Sequence, residues 1–489
     1  MSPPPVASPR IDAPGAGSFR NARVTVMGLG AFGGGEGVVR FLSQRGARIT
    51  ITDLRSETDL ADTLARLDDC RIESLQLGAH HEPAFREADL IVVNPAVPRG
   101  SPWLDIARAA GVPLTSEMNL FAQHHRGRVV AVTGSIGKST TTALLHAMLA
   151  ASGRRAWLGG NIGVSLLPVV DDIEPGDWVV LELSSFQLTD LDRLRFRPDV
   201  AVVTNLRPNH LDWHASLDEY RQAKQTILRW QQPTDVAVLN ADDADVASWP
   251  AIGRKAWFGR EGATVAGAST ARDDSARVRG SRLVGRVAGQ DVDLDLQDGF
   301  RLPGEHHAIN AAAATAAALT IGADTAALRS ALRAFEGLPH RLQRIDEQRG
   351  RAFFDDSKAT TPDAAIAALR AFEAPVILLA GGYDKHVDLS DLADAIAERA
   401  AATALMGQTA EALDALLAER RTARGEPPKR RVCATFEEAF SWGVDQSSPG
   451  DVVLLSPGCA SFGWFQNYVE RGREFARLAR EWGEGLGAS

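Results

Sequence analysis

The segment at residues 133–140, TGSIGKST, combines residue types that bind nucleotide phosphates. A glycine-rich turn between a strand and a helix presents backbone N–H groups to phosphate oxygens, and the helix N-terminus adds positive partial charge. Lys138 would then reach the β and γ phosphates, and the Ser139 hydroxyl would coordinate Mg²⁺. The full P-loop pattern has glycine where this chain has Val132, so the turn is a shorter variant. An ordinary strand–helix turn is the alternative, and the complete GKST run favours the phosphate site.

A second glycine-rich turn, GLGAFG at residues 28–33, fits the GxGxxG spacing of dinucleotide sites. Asp53 lies 23 residues past Gly30, where a carboxylate binds a ribose or a base in such sites. The pattern alone is weak, and a bare structural turn stays open as an alternative. Two nucleotide-type sites in one chain indicate ATP at one site and a nucleotide-linked substrate at the other.

Polar side chains also follow several predicted strands. The four patches are ELSSFQ at 182–187, NLRPNH at 205–210, DSKAT at 356–360 and SPGCAS at 456–461. Glu182 interrupts an apolar strand, so it is either paired structurally or holds a metal, and beside a P-loop we favour Mg²⁺. His210 alone is more typical of a surface or core histidine than of a ligand. Lys224 is typical of a solvated helix lysine, and nothing in its local sequence indicates otherwise.

The elements that must position these residues alternate as strands and helices. Strands are predicted at residues 23–27, 48–52, 90–94, 128–132, 178–183, 200–204, 236–239, 352–355, 376–380, 404–406 and 452–455. This alternation predicts an α/β fold with mostly parallel sheets and ligands at the carboxyl ends of the strands. Residues 257–296 predict a small β-rich insertion, and residues 310–321 an alanine-rich helix.

Length and composition limit the class of protein. A chain of 489 residues predicts two to four domains, with three as the middle value. The net charge of −9 argues against a nucleic-acid binder. Three cysteines without a CxxC pair form neither a disulfide framework nor a zinc cluster, which favours a reducing cytoplasm. No apolar run reaches the ~18 residues of a membrane span. The Pro-, Ala- and Gly-rich first 20 residues lack the apolar core of a secretory signal and predict a disordered tail.

Taken in order, the motifs resemble those of the Mur ligases, ATP-dependent enzymes that add amino acids to peptidoglycan precursors. The matching segments are TGSIGKST at 133–140, GGNIG at 159–163, LELSSFQL at 181–188, NHLDWH at 209–214, GLPHR at 337–341, DSKAT at 356–360, SPGCASF at 456–462 and RGREF at 471–475. The resemblance covers about residues 21–485 at family-like spacing. LELSSFQL, DSKAT and the ending formed by SPGCAS and RGREF together are most similar to the glutamate-adding branch.

The resemblance implies a three-domain α/β fold behind the tail at residues 1–20. A Rossmann-like domain at 21–117 would bind the UDP substrate. A central P-loop domain at 118–337, a parallel sheet plus the small β insertion, would bind ATP, and a Rossmann-like domain at 338–489 would bind the amino acid. The implied enzyme is a cytoplasmic monomer of cell-wall synthesis, and so of cell shape and division. It would use ATP and Mg²⁺ to join UDP-N-acetylmuramoyl-L-alanine to D-glutamate, without nucleic-acid or membrane partners.

The resemblance also implies roles for individual residues. The catalytic and metal-binding group is Lys138, Ser139, Glu182, His210 and Lys224, with Lys224 carbamylated so that it offers anionic oxygens. ATP binding is implied for Gly134, Ser135, Gly137, Lys138, Ser139, Thr140, His307, Asn310 and Asp356. UDP-substrate binding is implied for Ala31, Phe32, Asp53, Leu54, Arg55, Gly78 and Asn161. Amino-acid binding is implied for Lys358, Thr360, Lys385, Ser461 and Phe462.

Some positions depart from the family pattern, namely Ile136, Arg207, Asn209, His307, Thr361 and Gly463. They leave open a related ligase that uses L-glutamate or another amino acid. A folate polyglutamate synthetase lacks a UDP domain, so the first 120 residues argue against it. A non-catalytic nucleotide-binding relative and a nicotinamide oxidoreductase are two further alternatives. The intact lysines disfavour the first, and the P-loop disfavours the second.

Overall fold

The computed structural model describes residues 19–30, 33–208, 213–263, 274–384, 387–422 and 425–485. The chain divides into two compact units. The first comprises Met1–Ala276, Gly285–Val292 and Ala313–Leu328, and the second comprises Arg277–Val284, Asp293–Ala312 and Arg329–Ser489. In the part of the chain so described, no helix is long and apolar enough to cross a membrane.

The first sheet has five parallel strands in the order β3-β2-β1-β4-β5. The strands are β1 (Arg23–Met27), β2 (Arg48–Asp53), β3 (Ile72–Leu77), β4 (Leu90–Val93) and β5 (Leu114–Thr115). The helices are α1 (Gly34–Gln44), α2 (Glu57–Ala65), α3 (Glu82–Arg86), α4 (Pro102–Ala109) and α5 (Glu117–His124). β1 and β4 are almost continuously buried, as expected for a parallel sheet with helices on both faces.

The central sheet, next along the chain, contains six neighbouring parallel strands in the order β7-β8-β6-β9-β10-β11, and the three strands of the insertion described below extend it beyond β11 to nine. These strands are β6 (Arg128–Thr133), β7 (Ala156–Gly160), β8 (Trp178–Glu182), β9 (Val200–Val203), β10 (Val236–Asn240) and β11 (Arg254–Arg260). Their helices are α6 (Lys138–Ala151), α7 (Ser185–Leu191), α8 (Leu217–Arg229) and α9 (Ala244–Ala247). The predicted strand–turn–helix around the P-loop is therefore confirmed.

The β-rich insertion that the sequence predicts is present as three short strands. These are β12 (Ser275–Arg279), β13 (Arg282–Val287) and β14 (Gln290–Asp295), followed by helices α10 (Glu305–Thr320) and α11 (Thr325–Ala334). Helix α10 begins five residues before the predicted residue 310. Its start follows Gly304, whose φ of 92° lies in the left-handed region that favours glycine.

The third sheet lies in the second unit and has the order β15-β16-β20-β17-β18-β19. Its strands are β15 (Gln343–Gln348), β16 (Arg351–Asp355), β17 (Val376–Gly381), β18 (Ala400–Met406), β19 (Arg430–Val432) and β20 (Val452–Leu455). Its helices are α12 (Pro362–Leu369), α13 (Ser390–Arg399), α14 (Ala410–Ala418), α15 (Phe436–Asp445) and α16 (Tyr468–Glu484). All neighbouring strands run parallel except β15 and β16.

Apolar side chains fill both faces of this third sheet. Leu378 and Leu454 belong to one core cluster, whereas Ile377, Leu379 and Leu455 belong to the other. Successive residues of a strand point to opposite faces, so an unbroken apolar run serves two helical layers at once. The three sheets with their helices confirm the predicted α/β class with three domains. The numbered domain boundaries stay predictions.

Candidate active site

The P-loop joins β6 to α6 at the carboxyl end of the central sheet. Gly137 precedes the helix with a φ of 86°, in the left-handed region that favours glycine. Gly134 has a φ of 143°, and a Cβ there would collide with the Thr204 hydroxyl. That hydroxyl donates to the carbonyl of Ile136 at 2.7 Å, so the loop is packed directly on the end of β9. The glycines of the motif are therefore required by close approach as well as by backbone conformation.

Asn205, the first residue of the NLRPNH patch and without a predicted role of its own, holds the P-loop from the side. Its Oδ1 accepts from the Ile136 N–H at 2.9 Å, and its Nδ2 donates to the Ile136 carbonyl at 2.9 Å. The Ser135 hydroxyl is placed by the backbone N–H of Arg207 at 2.9 Å and lies 3.2 Å from the Tyr220 hydroxyl. The signal for Asn205 was its place directly after β9, which neighbours β6 in the sheet.

Two lysines converge on this loop. The Lys138 ammonium donates to the Ser135 carbonyl at 3.0 Å, and the Lys224 ammonium donates to the Gly134 carbonyl at 2.8 Å. Lys224 is only 1% exposed, so the local-sequence interpretation of it as a solvated helix lysine is wrong. Burial lowers the pKa of Lys224 well below its ordinary value, and the charge of Lys138 acts in the same direction. The P-loop therefore contacts two amines, that of Lys138 and that of Lys224, and burial favours the neutral form of the second.

The signal that could have revealed the burial of Lys224 is its position on α8. Tyr220, Ala223, Lys224 and Ile227 are all buried and recur at the spacing of one helix face. A lysine in the middle of an apolar stripe is unusual and calls for a specific partner. Its Nζ also lies 4.5 Å from the centre of the Tyr220 ring, which favours a cation.

Glu182 ends β8 and pairs in register with Val132 on β6, immediately before the P-loop. It is 1% exposed, and its Oε1 accepts from the Asn161 amide at 2.8 Å. Its Oε2 is buried and has no hydrogen-bond partner in the described residues. A buried oxygen of this kind matches the preference of Mg²⁺ for hard ligands, so the residues fit the ion.

The protein would supply only part of the coordination shell of such an ion. In the described ranges no group of three His, Cys, Asp or Glu side chains comes together as a metal cluster. Mg²⁺ is commonly held by one or two protein oxygens, with phosphates and water completing the shell. Glu182 and the buried Ser139 offer oxygen donors of the kind used in that arrangement. Asn161, implied as a UDP-substrate residue, contacts Glu182 here.

The glycine turn after β1 faces a buried carboxylate. Asp53 accepts from the Leu29 N–H at 3.0 Å, and from the Arg55 backbone N–H at 3.0 Å and side chain at 2.9 Å. Burial alone would raise the pKa of Asp53, but the hydrogen bonds from Arg55 and Leu29 lower it overall. Leu54 is exposed beside this pair, and the Gly78 N–H donates to the Asp53 carbonyl at 3.0 Å. Four implied UDP-substrate residues therefore come together.

Asn94 was missed and completes this turn. It follows β4, and its Nδ2 donates to the Gly28 carbonyl at 3.4 Å. A Cβ at Gly30 would lie 2.6 Å from the same amide nitrogen. The amide side chain therefore supports the glycine turn from the neighbouring strand. Ala31, Phe32, His210 and Lys385, four of the implied site residues, lie outside the described residues.

Asp356 lies in the second unit, directly after β16. Its Oδ1 accepts from the Leu342 N–H at 3.1 Å, and its Oδ2 accepts from the Ser456 hydroxyl at 2.7 Å. Burial raises its pKa to about 7 despite these bonds. His307 is also buried, both of its ring nitrogens lack partners in the described residues, and burial lowers its pKa. The nearby charge of Arg341 acts on the pKa of both groups, while Asn310 is buried on α10 one turn beyond His307.

The loops after β16 and β20 carry the implied amino-acid residues. The Lys358 backbone N–H donates to the His340 carbonyl at 3.1 Å, and its ammonium lies 5.2 Å from the Tyr468 ring centre. Thr360 follows in the same loop. Ser461 is buried, whereas Phe462 is 53% exposed and packs edge-to-face on Tyr383. Tyr468 was not identified from the sequence, because its contact depends on how α16 is placed.

Three family models match the chain in order. They are the Mur ligase MurD-like N-terminal domain at residues 22–116, the Mur ligase middle domain at 132–318, and the Mur ligase glutamate ligase domain at 340–459. A relative from Roseiflexus sp. (strain RS-1) is 41% identical over 466 residues, which cover 93% of this chain and 98% of the relative. The chain therefore belongs to the Mur ligase family.

The individual relatives carry a more specific name. The Roseiflexus protein and one from Symbiobacterium thermophilum, 38% identical over 95% of this chain and 99% of its own, are each named UDP-N-acetylmuramoylalanine–D-glutamate ligase. Among solved structures, UDP-N-acetylmuramate-alanine ligase from Thermotoga maritima has a TM-score of 0.62 at 21% identity, covering 94% of this chain and all of its own. A pseudomurein peptide ligase type C from Methanothermus fervidus has a TM-score of 0.59 at 18% identity, with the same coverage. These two structures support the fold.

Proposed function

We propose that this chain is a cytoplasmic, monomeric ligase that uses ATP to join D-glutamate to UDP-N-acetylmuramoyl-L-alanine. The observation that carries the proposal is the convergence of Lys138, buried Lys224 and the unpaired Glu182 oxygen around one phosphate-binding loop. The names of the relatives supply the identity of the two substrates. The lysines also disfavour a non-catalytic relative, since a binding-only protein has no need for a buried amine beside the phosphates.

The reaction would proceed in two steps. A carboxylate oxygen of the UDP substrate attacks the γ-phosphorus of ATP, and the bond between that phosphorus and the oxygen bridging it to the β-phosphate breaks. The products of this step are ADP and an acyl phosphate of the UDP substrate. The amine of glutamate then attacks the carbonyl carbon, phosphate leaves, and the nitrogen loses a proton. Phosphoryl transfer depends on positioning and charge neutralisation more than on covalent chemistry from the protein. Lys138 and the P-loop N–H groups would provide both for the phosphates.

Ser139 and Glu182 would hold Mg²⁺, which when bound neutralises charge on the phosphate oxygens. The Asn161 amide, by donating to Glu182 Oε1, turns the other carboxylate oxygen toward that role. Asp53 and Arg55 would hold the uridine end of the substrate on the first sheet. Lys358, Thr360 and Ser461 would hold the carboxylates of glutamate on the third sheet.

The enzyme is expected to work with Lys224 as a carbamate. A lysine reacts with CO₂ only as the neutral amine, and its burial together with the charge of Lys138 favours that form. The product carries a negative charge and two oxygens beside Glu182, which suits a divalent cation. Lys224→Ala should therefore lose nearly all activity, and acetate should restore part of it by placing a carboxylate in the space left.

Lys224→Arg is the matched variant for this test, because it keeps a cation and excludes CO₂ addition. It should stay inactive with or without acetate. ¹³C NMR of the wild type equilibrated with ¹³CO₂ should show a bound carbamate signal that both variants lack. Wild-type activity in Lys224→Arg would mean that the residue acts as a plain cation.

Phosphate release tests the function as a whole. The assay combines ATP, Mg²⁺ and UDP-N-acetylmuramoyl-L-alanine with D-glutamate, L-glutamate or another amino acid, in parallel. D-glutamate should give rapid release, and UDP-N-acetylmuramate without the alanine serves as the control substrate. A preference for L-glutamate would mean that the amino-acid site of this chain differs from that of a D-glutamate ligase. No phosphate release with any amino acid would favour a binding protein without catalysis.

A further inference from the structure

The third domain contains an unusual buried cation on α16. Arg471 is 1% exposed, and its side-chain hydrogen bonds go to Ser357 and Cys459. Its Nε donates to the Ser357 hydroxyl at 3.0 Å and its Nη2 to the Ser357 carbonyl at 2.8 Å. Its Nη1 donates to the Cys459 carbonyl at 3.2 Å. A fully buried arginine is rare. The N–H groups of Arg471 donate to a hydroxyl and two carbonyls on two loops and, among the described residues, not to a carboxylate.

Those two loops are the ones that carry the implied amino-acid residues. Ser357 precedes Lys358 and Thr360 in the loop after β16, and Cys459 precedes Ser461 in the loop after β20. A third loop, after β17, is hydrogen-bonded to the loop after β20. Its Tyr383 N–H donates to the Ala460 carbonyl at 2.8 Å. One guanidinium therefore sets the spacing of the polar groups at the carboxyl edge of this sheet.

The charge of Arg471 persists at working pH. Burial lowers the pKa of the guanidinium to about 10, which is still well above neutrality. The nearest acids are committed elsewhere, since Asp355 accepts from the His340 ring at 2.6 Å and Asp356 from Ser456. A fixed positive charge beneath the loops favours a dianionic ligand over a neutral one. The planar guanidinium is needed as well as its charge. Its separate N–H groups bond to Ser357 and Cys459 at once, and a lysine ammonium cannot do this in the same geometry.

We propose that Arg471 is a positioning residue that sets the two loops for a dicarboxylic amino acid. This inference rests on the proposed function, which places glutamate on these loops. Arg471 touches no substrate, and acts by holding Ser357 and Cys459, and through them Lys358 and Ser461. Its loss should therefore weaken the capture of glutamate selectively, while the ATP and UDP-substrate sites keep their affinities.

The test is steady-state kinetics of Arg471→Lys, with each substrate varied in turn. The variant keeps the charge and loses the planar guanidinium, so KM for glutamate should rise about tenfold while kcat changes by less than about threefold. KM for ATP and for the UDP substrate should stay within about twofold of wild type. Arg473→Lys, on the exposed face of the same helix, is the matched control and should behave as wild type.

A second variant keeps the test decisive if Arg471→Lys folds poorly. Ser357→Ala removes one acceptor of the guanidinium, and should raise KM for glutamate about threefold. The double variant should resemble Arg471→Lys alone, because both changes break the same contact. An unchanged KM for glutamate, or equal increases for all three substrates, would overturn the positioning role. If the wild type itself shows no glutamate-dependent phosphate release, the proposed function fails instead.

Discussion

The buried carboxyl group of Asp356 makes the stability of the third domain depend on pH. An aspartate has a pKa of 3.8 in an unfolded chain, and burial raises that of Asp356 to about 7 in the folded state. The folded protein therefore binds a proton that the unfolded chain has already lost between these two values. Stability from this group is complete below about pH 4 and falls as the pH rises toward about 7. The whole interval corresponds to about 4 kcal/mol at about 1.4 kcal/mol for each pH unit.

Asp356→Asn removes the titration and keeps the shape. The amide oxygen can accept from the Leu342 N–H, and the amide nitrogen can donate to the Ser456 hydroxyl, so both existing partners remain bonded. The variant should be close to wild type at about pH 5 and more stable by about 2.5 kcal/mol at about pH 8. For a domain of this size, that difference corresponds to a rise in melting temperature of roughly 5–10 °C.

The assay is the melting temperature of both proteins, followed by scanning fluorimetry in matched buffers from about pH 5 to about pH 8. Asp445→Asn, which removes a carboxylate from the exposed end of α15, is the control and should give a constant difference. A constant difference for Asp356→Asn as well would refute the reasoning, because the carboxyl group would then be ionised throughout.

Two further changes separate the sites. Lys138→Ala should reduce amide formation at least about 100-fold by removing a cation from the transferred phosphate. Calorimetry should show UDP-substrate binding unchanged, since the glycine turn for it lies on another sheet, and lost binding in the folded variant would contradict that separation. Gly472→Ala should lower the melting temperature by several degrees, because the new Cβ would overlap the His340 ring, and overpacking costs about 1–3 kcal/mol. Arg480→Ala on the exposed face of α16 should be nearly neutral, and equal melting temperatures for the two variants would rule out the clash.

The sequence by itself determined the features that depend on neighbours in the chain. A glycine-rich turn between a β-branched run and a helix is a local pattern, so the P-loop turn and the glycine turn after β1 could be predicted, although the ligand of the second turn could not be read from that pattern alone. The alternation of strands and helices determined the α/β class, and ten of the eleven individually predicted strands lie within two residues of the observed ones. The short or less apolar strands β3, β5, β7, β15 and β19 were not predicted. The motifs indicated the family because they occur along the chain in the same order and at similar spacing as in the Mur ligases.

Only the tertiary structure decided which polar side chains are buried and what they bond to. Lys224 meets the Gly134 carbonyl across 90 residues, and Arg471 meets Ser357 across 114. Asp356 has an altered pKa because of the groups that enclose it, and its neighbours in the chain do not contain that information. Burial and ionisation depend on the dielectric surroundings and on distant partners, and these exist only once the sheets are assembled. A local pattern can therefore identify a phosphate loop, whereas the protonation state of the lysine beside it is a property of the fold.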